Sequence, residues 1–476
     1  MAKKVAAVGP VEGPWALPDG WRWEQIDAVA PVNPRRGPDK LADDAEVAFV
    51  PMSAVEAETG KIDVSTRRSA SSVRKGFTRF ASGDVIFAKI TPCMENGKVA
   101  VIPELPHGIG FGSTEFHVLA PLEVSASYLY YWVSQRGFRE TAEFNMTGTA
   151  GQKRVPTDFM RNSLIPVPRK PVQDAIVARI DELFAEIDDG EAALARARDD
   201  LATWRKALLK AAVTGELTAD WRAANPADET GSDLSSRILV DRRERWEANH
   251  QNTGKRYVEP AAAATIGLPT IPDDWAWVSM GQLLDRIEAG LNVKCVERPP
   301  TAGETGLLKI SAVTWWRFNE RASKTLSDGH VHPEQWLIAD GDLLVSRANT
   351  LELVGAPAIV EDLSLRLMLS DKVLRLEMPA YLRRWVFFVM RSPFGRAWIE
   401  SHSTGNQLSM RNISQDALRA MPIPLPPRAE LAQIVALLNS TSAQHERTAA
   451  ELGTLSNGAA ALRQSVLAAA FRGELA

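Results

Sequence analysis

Ile165-Pro-Val-Pro168 and Gly215-Glu-Leu217 bracket a stretch that recurs without a gap 258 residues later, as Ile423-Pro-Leu-Pro426 and Gly473-Glu-Leu475. After Pro171 the first copy has no proline before Thr214, and Gly190 is its sole glycine. Apolar residues fall every seven positions, at Ile180, Ile187, Leu194, Leu201 and Leu208, with Ile176, Leu183, Ala197, Trp204 and Ala211 as companions. A seam of that period, kept for about five repeats, is the pattern of a paired helix. Pro171 suits its first turn, where the missing amide has no intrahelical use. A 44-residue helix is roughly 66 Å long at 1.5 Å per residue. With one apolar stripe it needs a partner. The second copy offers Leu438, Leu452, Ala459 and Val466, accompanied by Ile434, Leu455, Leu462 and Ala469 and interrupted by Thr441, His445 and Thr448. The two copies are expected to pair as an antiparallel coiled coil, with Ile180, Ile187, Leu194, Leu201, Leu208, Leu438, Leu452, Leu455 and Leu462 as helix-pairing residues. Gly215 and Gly473 suit the left-handed position that ends a helix.

The duplication extends upstream. Leu17-Pro-Asp-Gly-Trp21-Arg-Trp23 is echoed by Ile271-Pro-Asp-Asp-Trp275-Ala-Trp277, Gly83-Asp-Val-Ile by Gly341-Asp-Leu-Leu, and Tyr128-Leu-x-x-Trp132 by Tyr381-Leu-x-x-Trp385. Anchors matched in the same order indicate two copies of one module. Each module opens with short β-branched runs between turn residues, such as Gly83–Phe87, Gly97–Ile102 and Phe116–Leu119, which read as strands. A helix is expected from Ser127 to Glu143. The fold class is α+β: two mixed α/β domains in tandem repeat, separated by two long helices. The boundaries are a tail at 1–14, a domain at 15–170, a helical spacer at 171–217, a linker at 218–268, a second domain at 269–427 and a second spacer at 428–476. The charged run Arg237–Glu247 reads as one further helix, and the linker leaves slack for the second module to turn around.

Composition bounds the function. The 476 residues, 45% apolar and 24% charged, suit about three packed units or two large ones. Cys93 and Cys295 alone supply neither a disulfide framework nor a cysteine zinc site, which fits a reducing cytosol. No run reaches the roughly 18 apolar residues that span a bilayer, and Lys3-Lys4 is followed by no apolar secretion core. A cytoplasmic protein with no membrane partner is expected. The net charge of −4 hides segregation: seven basic residues face two acidic ones from Ser65 to Lys98, whereas ten acidic face six basic from Pro171 to Leu217.

Catalytic motifs are missing. There is no G-x-x-x-x-G-K-S/T phosphate loop, G-x-G-x-x-G, H-E-x-x-H or G-x-S-x-G, and no Asn/Asp-Pro-Pro-aromatic tetrapeptide of an amino-methyltransferase. His330 and His332 read as structural or solvent-facing residues rather than metal ligands. Neither a catalytic residue nor a metal site is expected.

Recognition chemistry is present twice. Lys89-Ile-Thr-Pro-Cys-Met-Glu-Asn-Gly-Lys98 offers Lys89, Thr91, Asn96 and Lys98 to phosphates and base edges. Its counterpart Ser346-Arg-Ala-Asn-Thr350 offers Arg347, Asn349 and Thr350. A second pair of glycine-containing loops carries Gln152, Lys153 and Arg154 in Thr147–Arg154, and Asn406, Gln407 and Arg411 in Ser403–Arg411. Glycine lets a backbone approach a partner closely, and Gln or Asn can pair bidentately with adenine. The competing readings are a solvated hairpin for the first loops and a turn shared through the fold for the second. Trp15, Trp21, Trp23, Trp275 and Trp277 are expected in the core, and the adjacent Trp315-Trp316 face opposite ways.

Two variable domains, each opening on a P-x-x-W-x-W strand and closing on I-P-V/L-P before a long helix ending in G-E-L, resemble the specificity subunit of type I restriction–modification systems. The resemblance covers nearly the whole chain. It implies two target-recognition domains, each reading one half of a bipartite asymmetric site in double-stranded DNA. It also implies helices that dock two modification (methyltransferase) subunits, with restriction subunits joining those. On that resemblance this chain holds no cofactor: S-adenosylmethionine sits on the partner methyltransferase, and Mg and ATP on a partner restriction subunit. Half-sites at a fixed separation suit a rigid spacer. The weaker second seam, and a chain ending directly after its Gly-Glu-Leu, depart from the pattern and suggest looser pairing there. The alternative reading is a duplicated coiled-coil scaffold that does not bind DNA.

Overall fold

The computed structural model describes residues 12–149, 151–250, 256–314, 317–327, 334–407 and 410–475. Lys3, Lys4, Trp315, Trp316, His330 and His332 lie outside the described residues, as does the side chain of Asn406. The chain divides into two compact units, residues 1–196 with 452–476 and residues 197–451. Both divisions fall inside long helices, so each unit holds one mixed α/β domain and part of each helix.

In the first unit, strand Arg22–Gln25 pairs antiparallel with Leu164–Val167, placing Trp23 opposite Pro166. The motif that opens the module is thus hydrogen-bonded to the motif that closes it. Between them lie a four-stranded sheet, in the order Arg67–Ser69, Glu46–Val50, Ile109–Gly112, Thr78–Ala81, and a three-stranded one, Val99–Val101, Val85–Ala88, Phe116–Leu119. Val85-Ile-Phe-Ala88 is buried on both faces, which is why its sequence reads as a continuous apolar run. Asp84, just before it, accepts the Ala81 amide at 2.6 Å and pairs with Arg36 at 2.7 Å. The duplicated Gly-Asp is therefore a turn whose buried carboxylate fixes the start of a strand.

The helix expected over Ser127–Glu143 is two helices, Ala126–Ser134 and Arg136–Phe144, broken at Gln135, whose ψ of 139° is extended. The break recurs in the second unit between Ala380–Arg391 and Pro393–His402. There Pro393 cannot continue the preceding helix.

The long helices, Lys170–Val213 and Arg428–Phe471, each span 44 residues. In the first unit Ile176 and Ile180 share a core with Leu467, Ala470 and Phe471, and Arg463 pairs with Asp188 and Glu191. Rising numbers on one helix meet falling numbers on the other, so the pairing is antiparallel. Two expected seam residues are displaced. Leu455 and Leu462 are 62% and 53% exposed, and the seam beyond Leu452 runs through Ala459, Arg463, Leu467 and Ala470. A straight helix of 3.6 residues per turn drifts against a seven-residue repeat, and here the companion positions move on by one. Phe471 is fully buried and stacks edge-on against Tyr128. The helix end expected to be loose is part of the core.

In the second unit Ala276–Ser279 pairs with Pro422–Leu425, and Trp277 faces Pro424. Its sheets are Arg286–Ala289, Val373–Glu377, Leu343–Ser346, Pro357–Ile359, and Cys295–Val296, Ser323–Leu326, Gly306–Leu308, Leu367–Met368. Asp342 repeats the role of Asp84, accepting the Ala339 amide at 3.0 Å and bonding Arg375 at 3.1 Å. Leu209 and Ala212 share a core with Ile434 and Leu438. His445, read as an interruption, is buried and stacked on Trp204 with ring centroids 5.9 Å apart. The Trp-x-Trp motifs enter the cores through Trp23 and Trp275, whereas Trp15 is partly exposed against Trp23.

The expected linker is structured. Its helix runs Gly231–Asn249, longer than the charged run, and buries Leu234 and Ile238 in the core of the second unit. Thr230 and Asp233 form a capping box at its start, a signature the sequence carries. Residues 231–249 of the expected linker are thus part of the second unit. The long helices end as glycine demands: a Cβ on Gly215 would lie 2.5 Å from Pro272, and one on Gly473 2.4 Å from Pro18. Each Gly-Glu-Leu therefore packs on the opening Pro-x-x-Trp of the other module.

Candidate nucleic-acid interface

Strand Val85–Ala88 runs directly into Lys89, whose carbonyl accepts the Val155 amide at 2.8 Å. Thr91 donates its amide to Lys153 at 3.1 Å, and Thr147 and Arg154 exchange backbone hydrogen bonds at 3.0 and 2.8 Å. The two expected loops of the first module thus lie side by side on one ribbon. The second module builds the same ribbon. Ile413 donates to the carbonyl of Arg347 at 3.0 Å, and Ala348 and Asn349 pair with Asn412 and Arg411. Lys89 and Val155 match Arg347 and Ile413 at the offset of 258. Only the tip differs: Gly148 and Gly405 are offset by 257, so the second hairpin is one residue longer. Both glycines have positive φ, and a Cβ would meet Gln152 O at 2.8 Å or Met410 O at 2.4 Å.

Behind the first ribbon, His117 is buried; its Nε2 lies 2.8 Å from Val155 O and its Nδ1 3.0 Å from Asn33 Nδ2. Burial pushes its pKa down to about 4. The neutral ring donates to Val155 and accepts from Asn33. Arg154 lies across Glu115 in a bidentate pair at 2.9 Å on both arms, and that guanidinium holds the Glu115 carboxyl below its ordinary pKa.

The expected residues divide by what already holds them. Lys98 donates to Met52 O at 3.0 Å. Arg411 donates to Gly405 O at 2.7 Å and Ser403 Oγ at 3.2 Å, bracing its own hairpin. Thr91 is bonded to the ribbon, and Asn349 Oδ1 caps the Thr350 amide while its Nδ2 has no partner among the described residues. Asn96, Gln152, Lys153, Arg347, Thr350 and Gln407 are exposed, and Lys89 is half-buried. The basic surplus of residues 65–98 is largely spent internally: Arg74 pairs with Asp39 and Asp43, Arg79 bonds Gly37 O, and Arg68 stacks 3.7 Å over Phe49.

Sequence reading missed the residues that anchor the closing strand of each module. Tyr128 donates its hydroxyl to Pro166 O at 2.9 Å, and Trp385 its indole N–H to Pro424 O at 2.7 Å. The same carbonyl is bonded in both modules by different side chains. The repeated Tyr-Leu-x-x-Trp was the available signal.

Residues 18–194 match the family described as Type I restriction modification DNA specificity domain. That match spans the first module. The chain is 28% identical over 491 residues to the type I restriction enzyme EcoEI specificity subunit of Escherichia coli, covering 92% of this chain and 80% of that one. It is 37% identical over 191 residues to the EcoAI specificity subunit of the same species, covering 40% of this chain and 32% of that one. The fold of the chain is similar to that of the HsdS subunit from Thermoanaerobacter tengcongensis (TM-score 0.59, 19% identity, covering 97% of this chain and 99% of that one). A chain from a structure of type I R-M system assembly and conformational transition gives a TM-score of 0.64 at 21% identity, covering 97% and 100%. No described helix is long and apolar enough to cross a membrane.

Proposed function

We propose that this chain is the DNA sequence-specificity subunit of a type I restriction–modification complex, each module reading one half of a bipartite asymmetric site. The observation that carries this is the pair of ribbons built on one backbone plan, with Lys89, Gln152 and Lys153 on the first and Arg347, Gln407 and Thr350 on the second. A reader that needs one geometry and two sequences keeps the scaffold and changes the side chains. Lys98, Arg154 and Arg411 shape the ribbons, while the exposed lysines, arginines and amides meet phosphates and base edges.

The chain itself performs no chemistry on this reading. Two methyltransferase subunits bring S-adenosylmethionine, and restriction subunits bring Mg and ATP. The paired helices dock the methyltransferases, with exposed Leu455 and Leu462 supplying apolar surface. Single-molecule sequencing of adenine methylation in cells with and without the chain tests the function. One bipartite methylated motif that disappears with the chain is expected; an unchanged methylation pattern contradicts it and favours a scaffold that does not touch DNA.

A further inference from the structure

The second unit contains a cleft of about 570 Å³ that the reading ribbons do not use. Arg198, Arg205, Lys206, Arg391 and Arg396 line it, with Glu400 the one carboxylate among its lining residues. Arg396 spans Glu400 at 3.4 Å and the carbonyls of Val354 and Leu351, so Glu400 is already matched. Arg205 and Lys206 have no hydrogen bond or ion pair among the described residues; the nearby carboxylate of Glu446 is paired with Arg317 at 3.0 Å, and burial outweighs its pull and lowers the Arg205 pKa. A cation held half out of water without a hydrogen-bonded partner is costly unless an anion joins it.

A second observation points the same way. His445 lines the cleft, is 91% buried, and its Nδ1 has no hydrogen-bond partner among the described residues. The helix Pro393–His402 also begins here, Pro393 being in the lining, and the N-terminal end of a helix favours negative charge.

We propose that this cleft binds a phosphate group, held by Arg205 and Lys206 with His445 as a third contact. Two sources share that chemistry: the backbone of duplex DNA and a free polyphosphate-bearing small molecule. The DNA branch rests on the function proposed above; the free-phosphate branch does not, so the two can fail separately.

The test uses the full chain, inorganic tripolyphosphate and duplex DNA as probes, and the variants Arg205→Gln/Lys206→Gln and His445→Phe, which keeps a ring against Trp204. Lys206→Gln alone serves if the double variant melts early. A free ligand predicts saturable calorimetric binding of tripolyphosphate, weakened about tenfold or more in the double variant and severalfold in His445→Phe, with an unchanged salt dependence of DNA binding. A DNA backbone predicts that the slope of log affinity against log salt falls by about two in the double variant. The proposal is overturned if the variants bind both probes as the parent does, or if the parent binds no tripolyphosphate and the variants leave the DNA slope intact.

Discussion

The Nε2–H of His117 donates to the carbonyl oxygen of Val155 at 2.8 Å, tying a buried imidazole to the root of the first module's ribbon. Desolvation holds its pKa at about 4, below the ordinary 6.5. The unfolded chain therefore takes up a proton between these values that the folded chain refuses. The stability this group contributes is fully present above pH 6.5 and is lost as pH falls towards 4, by about 3 kcal/mol in all. Urea titrations across pH 4–7 are expected to show His117→Gln less stable than the parent at pH 7, with the gap closing on acidification. A gap that stays constant contradicts a neutral, buried His117.

Lys153 and its neighbour Arg154 should fail differently. Lys153 is exposed, while Arg154 is spread across Glu115. Lys153→Ala is expected to leave the melting temperature unchanged and to lower the slope of log affinity against log salt by about one. Arg154→Ala is expected to lower the melting temperature slightly, since a partly exposed pair contributes about 1 kcal/mol or less, and to weaken DNA binding by loosening the hairpin. Differential scanning fluorimetry beside salt-dependent binding separates the two.

Glu430 is buried and accepts from Trp275 Nε1 at 2.9 Å, Thr218 Oγ1 at 2.6 Å and Arg222 at 2.6 Å. It links the opening tryptophan of the second module to the residues following the first long helix. Glu430→Ala leaves three donors without an acceptor and is expected to cost about 3 kcal/mol in denaturant unfolding. A loss under about 1 kcal/mol contradicts this network.

The displaced seam makes a paired prediction. Leu455→Lys and Leu462→Lys are expected within about 0.5 kcal/mol of the parent, as exposed changes usually are. Ile180→Ala and Leu467→Ala empty buried positions and are expected to cost about 2–5 kcal/mol each. Equal costs in all four would restore the strict seven-residue seam.

Much of this architecture was legible because duplication made single motifs credible. The heptads announced both long helices and their mutual pairing, and the Gly-Asp turns and I-P-x-P strands lie where their repetition implied. The errors have physical origins. Leu455 and Leu462 were placed by a period of 3.5 in a helix whose turn is 3.6. His445 reads as a break because a seam normally wants aliphatics, yet an imidazole stacked on Trp204 fills the same space. The helix Gly231–Asn249 is announced only over its charged run, Arg237–Glu247, because its buried apolar residues, Leu234 and Ile238, lie at or before the start of that run. The two loop pairs are legible in sequence, and the structure sets each pair on one ribbon, but the division between bracing and exposed residues is not. Lys98 and Lys153 look alike in sequence, and only the carbonyl of Met52 beside Lys98 separates them.

The most direct test of two independent reading modules is exchange of residues 15–170 for the corresponding module of a specificity subunit with a different site, followed by single-molecule mapping of adenine methylation. One half of the methylated motif should change while the other half and the spacing between them persist. A motif altered in both halves, or in neither, would contradict the account.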